Sequence, residues 1–174
     1  MTHENYEARR HAEFLTVTCL NWNAVLKDPR VKLIIIDSIR YLTKIGRIRV
    51  FAFVIMDNHF HMIWQILGKQ ERPDVQRDML KYTSQRILKL LRTENAPLEH
   101  LEVNAKDRKY QVWERNSWNI PLWSGPRLWQ KINYIHNNPV KAQMCDTCKD
   151  YHFSSARFYR YNDRGWDFLT HVDG

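Results

Sequence analysis

Two strand-like stretches joined by the dipeptide Asp57-Asn58 constrain the fold of this chain more than any other feature. The first stretch, Ile48 to Met56, is apolar at almost every residue, as expected of a central strand that is covered on both sides. Aspartate and asparagine both tolerate left-handed backbone angles, so the dipeptide predicts a two-residue hairpin. The second strand then begins at His59, and the hairpin fixes its register against the first.

The second strand carries a histidine pair, His59 and His61, on one of its faces. Alternate residues of a strand point to the same side, roughly 6.5–7 Å apart, so two imidazoles can converge on one cation. A lone His-x-His pair is more often two ordinary surface histidines, and that alternative stays open at this point. The same alternation assigns an apolar set to the opposite, core-facing side: Phe60, Met62, Trp64 and Ile66.

The rest of the chain alternates between strand-like and helical patterns. In chain order we predict a strand over Ala12–Leu20, a helix from Pro29 to Gly46 with Asp28 as N-cap, the hairpin, a linker over Lys69–Asp74, a helix from Asp74 to about Arg92, an irregular, mobile excursion over Thr93–Lys109 and strand-like structure within Tyr110–Trp123. This order predicts an α+β fold, a ferredoxin-like antiparallel sheet with two helices on one face. Such a sheet leaves its other face free for a third helix.

A third helix is predicted from Pro126 to about Asn138. Proline is favoured in a first turn, and Pro139 is expected to end the helix because it displaces the preceding residue from helical geometry. At ~100° per residue, the apolar face would carry Leu128, Trp129, Ile132 and Ile135, and the polar face Arg127, Gln130, Lys131, Tyr134 and Asn138.

Tyr134 is the residue of interest on that polar face. A tyrosine meant for the core would lie with the apolar stripe, so its placement favours a chemical role. Asn138, one turn later, can offer an oxygen to a metal held by His59 and His61. The alternative for Asn138 is a helix C-cap before the proline.

Composition indicates one ordered domain with a polyanionic partner. The chain has 174 residues, of which 44% are apolar, and we expect a single domain over 1–174 with a basic, aromatic C-terminal extension from about 150. Lysine and arginine number 27 against 19 acidic residues, giving a net charge of +8. This excess favours nucleic acid, although it can also serve solubility alone.

Basic residues gather in two places that can contact DNA. One is a stripe on the second helix, which includes Arg77, Lys81 and Lys89 and can also be an ordinary solvated face. The other is the tail from Tyr151 to Phe168, where arginines alternate with aromatic residues. This tail can stack on bases or simply dock on the sheet.

Targeting and cysteine signals are sparse. Residues 1–10 lack the apolar core of a signal peptide, and no apolar run is long enough to cross a bilayer, so we expect a cytoplasmic protein without membrane contact. Cys145 and Cys148 form a C-x-x-C, but no second such pair completes a zinc site. They are interpreted as loop thiols.

Three motifs together carry a family resemblance. The hairpin V-I-M-D-N-H-F-H-M-I-W, the later Y-I-H-N-N-P-V-K-A and the closing D-Y-H-F-S-S-A resemble the single-tyrosine HUH transposases, especially the REP-associated tyrosine transposase branch. The similarity spans roughly Ala12 to Ala156, in the expected order. The chain departs from the family at Asp57, where a proline is common, and at Asn21-Trp22-Asn23, which replaces a frequent glycine-containing segment.

The resemblance implies an HUH fold and metal-dependent nicking and strand transfer on single-stranded DNA beside hairpins. His59 and His61 would hold a divalent ion, magnesium or manganese, with Asn138 as third ligand, and Tyr134 would form a 5′-phosphotyrosine intermediate. The candidate DNA contacts are Arg77, Lys81, Lys89, Arg127, Lys131, Arg157 and Arg160.

Three questions stay open at this point. A non-catalytic DNA-hairpin-binding protein is the alternative function, and a regulatory module sensing metal or redox through Cys145 and Cys148 is a third hypothesis. The resemblance implies either a monomer or a homodimer. It also implies either a mobile-element transposase or a domesticated host protein.

Overall fold

A computed structural model describes residues 11–173 of the chain, so the prediction for residues 1–10 lies outside the described part. The elements are β1 Ala12–Thr18, α1 Pro29–Lys44, β2 Ile48–Ile55, β3 His59–Ile66, α2 Arg72–Thr93, β4 Glu102–Ala105, β5 Arg108–Tyr110, β6 Trp118–Leu122, α3 Gly125–Lys141 and α4 Ala156–Tyr161.

Four strands form one sheet in the order β2-β3-β1-β6. All neighbouring strands are antiparallel, with Thr16 opposite His61 and Thr18 opposite His59 in the β1–β3 ladder. The helices α1 and α2 connect β1 to β2 and β3 to β6. This is the predicted ferredoxin-like arrangement, and the prediction of an α+β fold is confirmed.

The two faces of the sheet pack against different helices. Phe60, Met62 and Trp64 lie in the larger core with apolar residues of α1 and α2. Ile63, between them on β3, packs on the other side with Ile132 and other apolar residues of α3. The predicted alternation along β3 is therefore confirmed. Because burial of each such side chain contributes about 1.5–3 kcal/mol, the smaller core holds α3 over the face that carries the histidines.

The first helix begins where its N-cap signal predicts. Asp28 accepts a hydrogen bond at 2.8 Å from the backbone N–H of Arg30, and Pro29 occupies the first helical position. The helix ends at Lys44, and Gly46 follows with φ 69°, a left-handed angle that glycine adopts without strain.

The segment predicted as an irregular excursion is folded, so that prediction was wrong. Residues 93–109 contain a 3₁₀ turn at Glu99–Leu101 and the hairpin of β4 and β5. Leu101 is fully buried in the larger core, and its carbonyl accepts from the N–H of Gln111. One buried leucine within a polar stretch gives no periodic signal, which is why the pattern missed it. The linker prediction also extended too far, since α2 already begins at Arg72.

The helix α3 does not end before Pro139, contrary to the prediction; it continues to Lys141. Proline removes one backbone donor, but the ring of Pro139 is buried and the last turn is otherwise paired. The N–H of Ala142 donates to the Asn138 carbonyl at 3.0 Å, and that of Met144 to the Pro139 carbonyl at 2.9 Å. Asn138 thus lies inside the helix, and its interpretation as a C-cap was wrong.

The C-terminal segment docks on the sheet. The N–H of Ile55 donates to the Phe153 carbonyl at 2.9 Å, and the N–H of Ser155 to the Phe53 carbonyl at 3.0 Å. Farther along, the N–H of Thr170 donates to Val50. These bonds cover the free edge of β2, which would otherwise present unpaired backbone groups.

Candidate active site

The two histidines of β3 lie side by side under α3. Their ring centroids are 4.8 Å apart, and the ring of Tyr134 lies 5.4 Å from that of His61. Phe14 of β1 stacks on His61 with centroids 5.1 Å apart and an interplanar angle of 24°. The structure therefore brings His59, His61 and Tyr134 together, while their roles stay predictions.

Each histidine has a partner for its Nδ1 atom. His59 Nδ1 lies 2.7 Å from the side-chain oxygen of Asn58, and His61 Nδ1 lies 2.9 Å from the hydroxyl oxygen of Thr16. An amide oxygen only accepts, so His59 donates through Nδ1 and keeps a free lone pair on Nε2. The Nε2 atom of His61 is buried without a hydrogen-bond partner in residues 11–173. When Nδ1 of His61 donates to the Thr16 hydroxyl, both Nε2 atoms carry a lone pair that can bind a metal, the arrangement that oriented metal-binding histidines show.

Burial keeps both imidazoles neutral. It lowers the pKa of His61 to about 3, with smaller contributions from the positive charges that His59 and Lys131 can carry. It also lowers the pKa of His59. A metal competes with protons for the same lone pair, so a lowered pKa favours ligation at neutral pH.

The two histidines have no third strong metal ligand beside them among residues 11–173. Within the part of the chain that the structure describes, no three His, Cys, Asp or Glu residues lie close enough to share a metal ion. Asn138 is half-buried on α3, one turn after Tyr134, and its role as third ligand stays a prediction. Two imidazoles plus an amide oxygen would leave positions for water or a substrate oxygen, as in catalytic sites.

Two lysines flank the ring of Tyr134, which is 40% exposed and so accessible to a large substrate. The Nζ atoms of Lys131 and Lys141 lie 5.3 and 5.7 Å from its centroid. Lys131 also lies 4.6 Å from the Phe14 centroid. Lys141 was missed by the sequence analysis, although its spacing of seven residues from Tyr134 places both on one helix face.

The remaining candidate DNA contacts lie elsewhere. Helix α2, which carries three of them, packs with α1 on the face of the sheet opposite Tyr134. Its basic side chains differ in whether they are free to contact DNA. Arg77 pairs with Asp74 and Asp78, whereas Lys81 lines a groove between α2 and residues 107–117. The others are exposed: Lys89 on α2, Arg127 on α3, Arg160 on α4, and Arg157, which pairs with Asp163.

The cysteine and membrane predictions can be compared with the structure only in part. Cys145 and Cys148 are free thiols in the segment between α3 and α4. No helix among residues 11–173 has the length and apolar character needed to span a membrane.

Sequence comparison finds one curated relative. No protein-family model matches the chain. A stretch of 107 residues, 60% of the chain, is 28% identical to a Haemophilus influenzae protein that is named as a REP-associated tyrosine transposase. The match covers 56% of that relative, so the chain spans little more than half of its length.

Structure comparison finds related folds, of which two are described. A solved REP-associated tyrosine transposase bound to a REP hairpin superposes with a TM-score of 0.64 at 17% identity, over 93% of this chain and 87% of that one. A transposase structure from Deinococcus radiodurans gives a TM-score of 0.51 at 15% identity, over 74% and 90%. The resemblance that the motifs predicted is thereby confirmed: in sequence and in fold, this chain is similar to the REP-associated tyrosine transposases.

Proposed function

We propose that this chain is a metal-dependent enzyme that nicks and rejoins single-stranded DNA beside hairpins, with Tyr134 as nucleophile. The observation that carries the proposal is the position of an accessible phenol beside two neutral imidazoles, each with an available Nε2 atom. The similarity to transposases supports the same reaction class.

The reaction exchanges one phosphodiester bond for another. The Tyr134 oxygen forms a bond to phosphorus, the bond from phosphorus to the 3′ oxygen breaks, and the proton lost by the phenol is balanced by one gained at the 3′ hydroxyl. The DNA 5′ phosphate stays on the enzyme. Because the new bond resembles the old one, a DNA hydroxyl can reverse the step, and no nucleotide cofactor is needed.

Lys131 and Lys141 would act directly at the phosphate. A phenol holds its proton near neutral pH and is a weak nucleophile, so negative charge developing on its oxygen needs stabilisation. The two ammonium groups beside Tyr134 can supply that stabilisation and hold the scissile phosphate in place. Phe14, stacked on His61 and in edge contact with Tyr134, would fix the relative positions of the two rings.

His59 and His61 would hold a divalent cation, with Asn138 as the proposed third ligand. Such an ion, when bound, polarises the phosphate oxygens and neutralises charge. Imidazole suits manganese, while magnesium prefers oxygen ligands, so we expect manganese to support activity in vitro and leave magnesium as a candidate in cells.

DNA with hairpins is the proposed partner. The chain is strongly basic, and the solved relative is bound to a REP hairpin. Phosphate contacts would come from the exposed basic residues of α2, α3 and α4, and such contacts make affinity salt-dependent.

The test is formation of a covalent complex with a hairpin oligonucleotide that carries single-stranded flanks, in manganese. Wild type should form an adduct that survives denaturation, and Tyr134→Phe should form none while it still binds the oligonucleotide. Tyr161→Phe, which removes a more exposed hydroxyl outside the site, is the matched control and should react normally. Hairpin binding by wild type without any adduct in either metal would instead favour the non-catalytic alternative.

A further inference from the structure

A pocket of about 530 Å³ opens beside Trp22, whose ring contacts that of His59. We call it the tryptophan pocket. It lies between the turn after β1, the β4 strand and the approach to β6, and the lining residues used below are Thr18, Trp22, Asn104, Gln111, Arg115 and Trp118. Its size falls within the range of about 300–1,000 Å³ that is usual for ligand sites.

The pocket and the candidate active site share a wall. The ring of Trp22 lies 5.7 Å from that of His59, with an interplanar angle of 69°. Thr18, another lining residue, is directly opposite His59 in the β1–β3 ladder. A strand whose phosphate lies at the histidines would therefore have its neighbouring nucleotides within reach of this pocket.

The two tryptophans are far more exposed than packing would explain. Trp22 is 60% exposed and Trp118 is 72% exposed, although large aromatic side chains usually bury most of their surface. Two such residues in one pocket present flat apolar surfaces to solvent, which is typical of a binding site.

The backbone that presents Trp22 is strained. Asn21 and Trp22 have φ angles of 52° and 57°, and a bulky residue in the left-handed region is a genuine outlier. The turn is held by a 2.7 Å bond from the N–H of Asn21 to Glu114, and by the side chain of Asn23, which donates to Leu20 and His100. Strain of this kind persists where the surroundings enforce it and is concentrated at functional sites.

The polar part of the lining matches a nucleotide. The side-chain amide of Asn104 can donate and accept, as the edge of a base requires, and Gln111 offers its amide oxygen, because its Nε2 atom already donates to the Trp113 carbonyl at 2.8 Å. Arg115 makes no ion pair in residues 11–173 and can face a phosphate or stack on a base, while Glu114 of the same lining accepts from the Asn21 N–H. Aromatic faces with amides and a guanidinium are the groups that bind unpaired bases.

We infer that the tryptophan pocket binds an unpaired nucleobase of the single-stranded flank next to the phosphate that Tyr134 attacks. The inference rests on the proposed function and deepens it by assigning a base-binding site outside the histidines, the tyrosine and the basic helices. Trp22 and Trp118 provide the stacking surfaces, and Trp22 couples the pocket to His59.

The test compares binding of two probes in chelator, where no cleavage occurs: a hairpin with short oligothymidine flanks and the same hairpin with blunt ends. Trp22→Gly relieves the left-handed strain, so this variant should fold while losing the aromatic surface. Trp22→Gly and Trp118→Ala should each weaken binding of the flanked hairpin by about tenfold, since stacking of one base on an aromatic side chain has an effect of this order. Binding of the blunt hairpin should not change.

Trp123→Ala is the matched control, because Trp123 is 64% exposed but lines a different cavity together with His11. It should leave both affinities unchanged. Unchanged affinity for the flanked hairpin in both pocket variants would overturn the inference, and so would an equal loss for both probes. An abasic nucleotide at one position of the flank should weaken binding as the pocket variants do, and abasic nucleotides at the other flank positions should not. If no adduct forms on Tyr134 but the pocket variants still lose affinity for the flanked hairpin alone, the proposed reaction is wrong and the base-binding site is still supported.

Discussion

The Nδ1 atom of His61 lies 2.9 Å from the Oγ1 atom of Thr16, which is its direct neighbour across the β1–β3 ladder. The register that builds the sheet therefore also orients the candidate metal ligand. If the hydroxyl accepts from Nδ1, the lone pair of Nε2 is left free, and Nε2 has no other partner in the described residues.

Thr16→Val should weaken manganese binding. Valine keeps the shape of threonine and removes the hydroxyl, and loss of an oriented partner of a ligating histidine typically costs about 10–100-fold in metal affinity. Isothermal titration with manganese measures this change. Thr43→Val, which removes a hydroxyl bonded to Ile39 within α1, is the control and should bind as wild type does. Wild-type affinity in Thr16→Val would show that this contact does not orient the ligand.

Lys131→Gln and Lys141→Gln should each slow adduct formation by about tenfold, equivalent to about 1.4 kcal/mol. Hairpin affinity should fall much less, because each lysine is one of several phosphate contacts. Each substitution removes one positive charge beside the Tyr134 ring, where negative charge develops. Single-turnover rates with saturating oligonucleotide measure the effect. Lys149→Gln, at an exposed position outside the site, is the control. Equal losses in all three variants would indicate general electrostatics rather than a local role.

The metal-free protein should lose stability as pH falls below neutrality, partly through His136. Burial lowers the pKa of His136 to about 4, and its Nε2 lies 2.8 Å from the Ser155 hydroxyl. Below its ordinary pKa of about 6.5 the unfolded chain binds a proton that the folded chain excludes, so stability falls with pH until about 4.

For this one residue the loss between pH 7 and pH 5 is on the order of 2 kcal/mol. His136→Gln cannot titrate and should flatten the pH dependence by that amount, as measured by urea unfolding in chelator. An unchanged pH dependence in the variant would mean that His136 is protonated as readily in the folded protein as in the unfolded chain.

Tyr151→Phe should destabilise the protein by about 1–2 kcal/mol, because its hydroxyl serves two buried groups. It accepts from Lys32 at 2.7 Å and donates to the Ile55 carbonyl at 2.7 Å. Lys32 is 4% exposed and pairs with Asp57 in the turn before His59. Urea unfolding of Tyr151→Phe beside Tyr161→Phe isolates the effect, since Tyr161 is exposed. Equal stability of the two variants would exclude this network as a support of the turn.

The hairpin around Asp57-Asn58 made much of the fold predictable. The turn residues and the alternation after His59 place both histidines on the face opposite Trp64. These two signals depend only on local backbone geometry. The expectation that a helix ends before a proline, by contrast, misplaced the end of α3. Pro139 is buried inside the helix, and this burial depends on tertiary contacts that the local sequence does not show. That error also hid Lys141, which lies beyond the predicted end.

Other features depended on contacts that a single sequence does not encode locally. Leu101 is buried in the larger core with residues far away in the sequence, so no local pattern predicts its burial. The docking of the C-terminal segment on β2 could not be predicted, because it depends on β2 being an edge strand of the sheet. The strained turn at Asn21 and Trp22 is not predicted by propensity, because asparagine tolerates left-handed angles but tryptophan rarely adopts them.

Identification of the residue that carries DNA after reaction tests the central claim most directly. Wild-type protein reacted with a flanked hairpin in manganese is digested, and the peptide bearing the nucleotide is sequenced by mass spectrometry. The account predicts a phosphotyrosine at Tyr134, formed only when His59 and His61 are intact. An adduct on another residue, or one that persists in His59→Ala and His61→Ala, would contradict it.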